Sequence, residues 1–333
     1  MSRSSREQVR ISLAPHQVAL VRLSRGFRGG VADRQVMAVR NEATTETIES
    51  IVDGLISTGP IKTGSNKTGT ARDASLEDVA ADTGSNGNSS NVHAPDINGF
   101  GADWSSALEA LREIFAHPDI ARAKSGRIDA GVILSNHYVR YLVLPWSPAL
   151  VTPAEEAEFA RMRFAEVFGE AANRWNVSIA PAPAGAGRVA AAVDQLLLDT
   201  LGQAMSDSPF RLSSMQPALM SQFNAWRRQI GNDAWLVLIE RGRALIAWIQ
   251  NGEWRSVRTR PLGDAPLPLA HWLAQEWLLL DAGAGPSKVC LSVVDDVAVD
   301  TGGVQVQTLS PRARAGFVPR VDGELLLAMA GAT

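Results

Sequence analysis

The spacing of apolar residues along the chain predicts an order of strands and helices that occurs twice. Alternating apolar positions near the start predict a three-stranded antiparallel meander, with strands beginning near Val9, Val18 and Gln35. A second meander begins at Ala234, and Asn251-Gly252 between two of its alternating segments is typical of a two-residue hairpin turn. Apolar positions at helical spacing predict helices over 42–55 and 323–330 among others. Each meander is followed by a helix, a strand and a further helix. This repeat predicts an α/β protein with two related lobes.

The same patterns predict how the chain is divided. We expect a first lobe over 1–215 and a second lobe over 216–333. Strand, helix and strand signals over about 136–193 predict a small inserted subdomain, in which Thr152-Pro153 and the following acids begin a helix. Nearly half of residues 60–99 are Gly, Ser, Asn or Thr and none is aromatic, which predicts a disordered insertion. A tolerated surface insertion is the simpler explanation for 60–99, and a regulatory or binding role is the alternative.

Composition narrows the class of protein. The chain has 333 residues, 45% of them hydrophobic, and a net charge of −3, which is ordinary for a soluble globular protein. A net charge of −3 gives no positive electrostatic field that would attract nucleic acid, so no nucleic-acid partner is expected. The single cysteine, Cys290, excludes an intramolecular disulfide and lies in an apolar run that predicts a buried thiol. No signal peptide and no stretch of about 20 apolar residues is present, so we expect a cytoplasmic protein without a membrane span.

Three segments of the chain resemble one known group of proteins. They are the strand Tyr138–Trp146 with the acidic helix after Pro153, the segment Arg211–Met220 before a helix, and the meander segment Gln250–Arg260. In these segments the chain resembles the PilM family of type IV pilus assembly proteins, together with the actin-like cytoplasmic domains of GspL and MshI. The resemblance covers most of the chain outside 60–99. It implies a two-lobed actin-like fold of the actin/hexokinase/Hsp70 class.

The resemblance also implies a function. It indicates a non-catalytic cytoplasmic scaffold that binds the cytoplasmic segment of a single-span inner-membrane protein in a type IV pilus or type II secretion-like assembly. The protein would then be peripheral to the inner membrane through that partner. Two alternatives remain open at this stage. One is an active nucleotide-dependent ATPase or kinase of the same fold, and the other is a soluble adaptor unrelated to envelope machinery.

The two first hairpin turns are the places where a nucleotide would bind in the actin-like class. There, an acid and a glycine let backbone N–H groups approach the phosphates and orient the hydrated metal ion. The first turn, residues 12–17, has neither, and Pro15 removes a donor. The second turn keeps Glu240 and Gly242 beside Arg241, which fits either a degenerate phosphate loop or an ordinary charged hairpin. We therefore expect a pseudo-ATPase that turns over no cofactor, with binding of ATP and Mg²⁺ left open.

Other residues carry weaker signals. Trp146 directly follows a proline at a strand end and is the preferred exposed anchor for a partner. Tryptophans 235, 248, 254, 272 and 277 are expected to pack as core between helix and sheet, with a binding interface as the alternative. The histidines share no metal-ligand spacing, so no metal site is predicted. Eight arginines in the first forty residues predict either contact with the anionic inner leaflet or a solubilising rim: Arg3, Arg6, Arg10, Arg22, Arg25, Arg28, Arg34 and Arg40.

Overall fold

The first sheet contains the predicted N-terminal meander. In the computed structural model, which describes residues 8–24, 30–38, 103–121, 128–263, 265–280, 288–294 and 297–310, this sheet has the strand order β3-β2-β1-β4-β8. Its strands are β1 (Gln8–Leu13), β2 (Gln17–Ser24), β3 (Gly30–Ala38), β4 (Ile128–Leu134) and β8 (Phe210–Pro217). The first three are antiparallel neighbours, whereas β4 runs parallel to β1 and β8 runs parallel to β4.

The second sheet repeats this topology. Its order is β11-β10-β9-β13-β15, again an antiparallel meander followed by two parallel neighbours. The strands are β9 (Ala234–Glu240), β10 (Arg243–Gln250), β11 (Glu253–Pro261), β13 (Val289–Val293) and β15 (Val306–Thr308). The turn between β10 and β11 is Asn251-Gly252, with both residues at positive φ as a tight hairpin requires. The predicted repetition of the meander, with a parallel strand beside each copy, is confirmed.

Helices cover the sheets where their apolar stripes face inward. The helices beside the two sheets are α1 (Ser105–Ala116), α2 (Pro118–Ala121), α4 (Gln195–Ser206), α5 (Ala218–Ile230) and α6 (Leu269–Leu279). In α1, Leu108, Leu111 and Phe115 recur at helical spacing and are buried in the same core as Val9 and Ile11 of β1. A short parallel pair, β12 (Leu267–Pro268) with β14 (Val299–Asp300), lies beside α6. None of the described helices has the length and apolar character needed to cross a bilayer.

A third, three-stranded sheet is formed within 139–194. Its order is β5-β7-β6, from β5 (Val139–Leu144), β7 (Arg188–Asp194) and β6 (Trp175–Ile179), and all neighbours are antiparallel. Helix α3 (Pro153–Phe168) and a 3-10 helix (Gly169–Arg174) complete it. Thr152 begins α3 as predicted, because its hydroxyl accepts from the Glu155 amide at 3.2 Å while the Glu155 carboxylate accepts from the Thr152 amide at 2.9 Å.

The third sheet packs closely on the second at one point. A Cβ atom on Gly187, just before β7, would lie 2.9 Å from the carbonyl oxygen of Trp254 in β11. Only glycine allows this approach of two backbones. The three-stranded sheet is therefore held against the edge of the second sheet.

Two apolar clusters account for most of the core. The larger one is continuous from the inner face of the first sheet to one face of the second. The other covers the opposite face of the second sheet, where Trp235 and Trp248 stack with ring centroids 5.6 Å apart and Trp272 of α6 is buried beside them. These three tryptophans form core as predicted. Trp254 instead packs against Phe223 of α5, on the side of the larger cluster.

Some predictions differ from the structure or lie beyond it. The segment 211–217, expected only to precede a helix, forms β8, because its backbone pairs with β4 although its side chains are mostly polar. Cys290 is buried, as predicted. The disordered insertion predicted for 60–99, a helix expected over 42–55 and another over 323–330 lie outside the described residues. The lobe boundary at 215/216 and the subdomain limits at 136–193 stay predictions.

Candidate functional site

Three turns meet between the first and second sheets. Because β1 and β4 are parallel and Leu13 pairs with Leu134, the turn after β1 and the turn after β4 leave the same end of the first sheet. The Ser135 amide donates to the Leu13 carbonyl at 3.0 Å, which joins these two turns. The third turn is the β9–β10 hairpin of the second sheet, at Arg241-Gly242. We call the turn 135–137 together with Glu240 and Arg241 the clamp.

Glu240, the last residue of β9, is the centre of the clamp. It is 5% exposed, and its carboxylate accepts hydrogen bonds from the Ser135 hydroxyl, from the Asn136 amide N–H at 3.2 Å and from Asn136 Nδ2 at 2.6 Å. Burial raises the pKa of Glu240, and the hydrogen bonds from Ser135 and Asn136 and the charge of Arg243 partly offset this. The carboxylate is therefore used by donors that belong to the protein itself.

Tyr141 fixes the orientation of the Asn136 side chain. Its hydroxyl donates to Asn136 Oδ1 at 2.7 Å, so that the Nδ2 group is directed at Glu240. Burial, with the nearby Glu240 charge, raises the pKa of Tyr141 well above its usual value, which keeps this hydroxyl a donor. The result is a connected buried chain from β5 through the turn after β4 to β9.

His137 provides the second connection of the clamp. Its Nε2 lies 2.9 Å from the Arg241 carbonyl oxygen, which can only accept, so the proton of the neutral ring is on Nε2. Burial lowers the pKa of His137 to about 3, with a further contribution from the charge of Arg243. The ring of His16, from the first hairpin turn, stands edge-on to it with centroids 5.9 Å apart. The turn after β1 and the turn after β4 thus both face the β9–β10 hairpin.

The residues of the clamp do not fit a bound Mg-nucleotide. Phosphates need N–H donors and a hydrated metal needs an accessible carboxylate, but three donors already occupy Glu240. Arg241 presents its carbonyl to His137, and the Arg241 side chain is exposed. Gly242 has φ +76°, which a tight turn requires without any phosphate. The arrangement is a hydrogen-bonded connection between two sheets. The assignment of Glu240, Arg241 and Gly242 to a degenerate phosphate loop stays a prediction.

Sequence reasoning did not single out Ser135, Asn136 and Tyr141. The available signal was the polar triplet 135–137 directly after a buried strand, since strand ends that meet at one sheet edge often form sites. What the sequence could not show is that this triplet reaches a residue 104 or 105 positions away. Within the described ranges, no three or more His, Cys, Asp or Glu side chains are grouped so that they could hold a metal ion.

Trp146 lies away from the clamp, beyond the far end of β5. It is 40% exposed and borders a small hollow shared with Leu150 and Phe159, beside an ion pair between Arg188 and Glu156. This position suits a partner anchor, and the assignment stays a prediction.

The N-terminal arginines are only partly described. Arg10 lies directly opposite Val21 in the β1–β2 pair and Arg22 lies opposite Val9. Opposite residues share a face, so Arg10 and Arg22 point to different faces of the first sheet. Arg34 belongs to β3, and nothing is described of its side chain or of the other five. Contact with anionic lipid therefore stays a prediction.

Comparison with known proteins gives structural similarity alone. No protein-family model and no curated protein matches the chain. A chain of the PilM–PilN type IV pilus biogenesis complex is 12% identical, with a TM-score of 0.56 and 98% of each chain covered. A Bacteroides thetaiotaomicron protein with an actin-like ATPase fold and unknown function is 9% identical, with a TM-score of 0.51 over 97% of this chain and 96% of that one.

One further solved structure is similar to this chain. The cytoplasmic domain of EpsL, an inner-membrane component of the type II secretion system of Vibrio cholerae, is 9% identical, with a TM-score of 0.47 over 98% of this chain and 94% of that one. The two structures with TM-scores above 0.5 share the fold of this chain, and the repeated order of its two sheets agrees with them. The chain therefore has the actin-like fold that its sequence predicted.

Proposed function

We propose that this protein is a non-catalytic scaffold of a type IV pilus or type II secretion-like assembly. It binds the cytoplasmic segment of a single-span inner-membrane protein and is held at the cytoplasmic face of the membrane by that partner. The fold alone does not decide between scaffold and enzyme, because actin-like proteins include both. The support comes from the extent of one structural match and from the chemistry of the clamp.

The match to a chain of the PilM–PilN complex supports the assembly role. It extends over 98% of both chains, so the inserted three-stranded sheet is included as well as the two repeated sheets. That protein is described as part of a pilus biogenesis complex with a second protein. We extend the same kind of role to this chain.

The observation that carries the non-catalytic part of the proposal is the buried carboxylate of Glu240. In an ATPase of this fold, an acid at the hairpin would face the metal and its water. Here the carboxylate is 5% exposed and bonded to Ser135 and Asn136 of the opposite sheet. Freeing it for a metal would leave buried donors without acceptors, at about 1–3 kcal/mol for each group.

Copurification tests the partner. The tagged protein is isolated from detergent-solubilised membranes of its native cell, and the bound proteins are identified by mass spectrometry. We expect a single-span inner-membrane protein that is lost when its cytoplasmic segment is deleted. Recovery of soluble proteins alone would instead favour an adaptor outside the envelope machinery.

Nucleotide assays test the absence of catalysis. We expect no saturable binding of Mg-ATP by calorimetry and no phosphate release above background. Turnover near the usual enzyme value of about 10 per second, abolished by Glu240→Ala, would establish an active ATPase of this fold and overturn the proposal. Glu158→Ala, at an exposed carboxylate of α3, is the matched control.

A further inference from the structure

A groove separate from the clamp runs between the third sheet and the second. Its volume is about 880 Å³. One wall is β5 at residues 141–143 with the end of α3, and the other is β11 at residues 255–260 with α6. We call it the β5–β11 groove.

The walls of this groove are strand edges. Side chains alternate between the two faces of a strand, so a groove along a sheet face is lined by every second residue. Here consecutive residues line it, 141–143 on β5 and 255–260 on β11. Within the described sheets, β5 pairs only with β7 and β11 only with β10. Edge strands present backbone N–H and C=O groups that can pair with an added extended segment.

Exposed apolar side chains are concentrated at the groove. Leu278 and Leu279, at the end of α6, are 80% and 64% exposed, and Val167 of α3 is 50% exposed. They are three of the seven large apolar side chains that are exposed among the described residues. A group of exposed apolar residues beside a concave surface is typical of a protein interaction site.

The charge of the side chains that line the groove indicates the kind of segment that would bind there. Three arginines of β11 line the groove, and Glu276 is the one acidic residue among its described lining residues. Arg258 pairs with Glu276 at 3.0 Å, and the Arg260 guanidinium lies 5.2 Å from the centroid of the Trp272 ring. Arg255 pairs at 3.3 Å with Glu253, which lies outside the lining. With three arginines against Glu276 and Glu253, the groove keeps an excess of positive charge at Arg260. A segment with carboxylates complements it.

We propose that the β5–β11 groove binds an extended segment of a partner protein in which apolar and acidic residues alternate. The segment adds to the edge of β11 at residues 255–260, beyond the contact of Gly187 with Trp254, through backbone hydrogen bonds. It places its apolar side chains against Leu278 and Leu279 and directs its carboxylates to the arginines. This inference deepens the proposed function, on which it rests, by assigning a surface and a chemistry to the bound partner segment.

A peptide selection tests the groove without any knowledge of the partner. An unbiased library of twelve-residue peptides is selected on the full-length protein, and binding of the enriched peptides is measured by fluorescence anisotropy. Two groove variants are compared with wild type: Leu279→Glu and the double variant Arg255→Glu/Arg260→Glu. Their matched controls are Leu196→Glu, at an exposed leucine of α4, and Arg228→Glu, at an exposed arginine of α5. Circular dichroism and melting temperature verify that each variant is folded.

We expect enriched peptides with alternating apolar and acidic residues. Their affinity should fall at least tenfold in each groove variant and less than twofold in each control. It should also fall at least tenfold when alternate backbone amides of the peptide are N-methylated, since the hydrogen bonds to β11 are then lost. Enriched peptides that are basic, that ignore the groove variants or that tolerate N-methylation would overturn the proposal, as would a selection that enriches nothing.

Two outcomes distinguish a failure of the groove proposal from a failure of the proposed function. If groove-dependent acidic peptides are found but no membrane protein copurifies, the groove stands and the assembly role fails. If a membrane protein copurifies equally with wild type and with both groove variants, the assembly role stands and the groove proposal fails.

Discussion

Glu240 joins the two repeated sheets through the hydrogen bonds that its carboxylate accepts. A carboxylate that accepts from a hydroxyl, a backbone amide and a side-chain amide needs acceptor oxygens at both positions. Glu240→Gln replaces one oxygen with an NH₂ group that faces a donor. We expect the free energy of unfolding to fall by about 1–3 kcal/mol in urea titrations at pH 7. Glu158→Gln, at a side chain 73% exposed, should change it by less than about 0.5 kcal/mol. If Glu240→Gln lowered the free energy of unfolding as little as Glu158→Gln, the Glu240 network would contribute no stability.

His137 gives the fold a defined pH dependence. Its pKa is about 3 in the fold and about 6.5 when unfolded, so the unfolded chain binds more protons between those values. The His137 contribution to stability is therefore complete above pH 6.5 and is lost as the pH falls toward 3, by at most about 1.4 kcal/mol per pH unit. The charged and titratable neighbours are Arg243, His16 and Arg140, with Glu240 in the same clamp.

Comparison with a variant separates His137 from Glu240. The pKa of Glu240 is raised in the fold, so its contribution has the opposite sign and decreases as the pH rises from about 4.5 through that raised value. Urea titrations from pH 4 to pH 7.5 should show wild type losing more stability on acidification than His137→Gln. His271→Gln, at an exposed histidine of α6, should follow wild type. Parallel curves for wild type and His137→Gln would contradict the assignment.

At the scale of elements, the sequence predicted what short-range patterns determine. The apolar runs in 234–249 and the Asn251-Gly252 turn were enough for the second meander. Thr152-Pro153 with Glu155 was enough for the start of α3. Strand β8 was missed because its alternation of apolar and polar residues stops at Ser213-Ser214, and the rest of it is a strand through pairing with β4. The clamp was missed for a similar reason, since its hydrogen bonds join residues about one hundred positions apart.

Substitution by alanine should change the free energy of unfolding in opposite directions at two glycines in different elements. Gly242 in the β9–β10 turn has φ +76°, where a Cβ is strained, so Gly242→Ala should lower the free energy of unfolding by about 1 kcal/mol. Gly202 lies within α4 with no atom within 4 Å of a built Cβ. Gly202→Ala should therefore raise stability by about 0.5–1 kcal/mol, because alanine favours the helix. Urea midpoints measure both, and changes of the same sign would contradict the backbone argument.

At the scale of the whole molecule, the two repeated sheets share one core. The larger apolar cluster contains residues of both sheets, and the clamp adds buried hydrogen bonds between them. We expect unfolding in urea to be a single transition, with coincident curves from tryptophan fluorescence and far-ultraviolet circular dichroism. The buried tryptophans 235, 248 and 272 report on the second sheet. Two separated transitions would show that the sheets unfold independently.

The fold was predictable at this scale because a repeated order of elements leaves few arrangements. The same order of strands in both sheets follows from one pattern used twice. The β5–β11 groove was not predictable, because it depends on how the third sheet lies against the edge of the second. Gly187 and the Trp254 carbonyl make that contact, and neither carries a sequence signal for it.

The buried Glu240 also bears on which signal could control when such a protein acts. Actin-like proteins that hold ATP can change shape as it is hydrolysed, and so can respond to the energy charge of the cell. Because the hydrogen bonds of the clamp join the two sheets without a nucleotide, we expect the angle between the sheets not to change with the ratio of ATP to ADP. For the proposed scaffold, we therefore expect the start of assembly to depend on how much of the protein and its partner the cell synthesises.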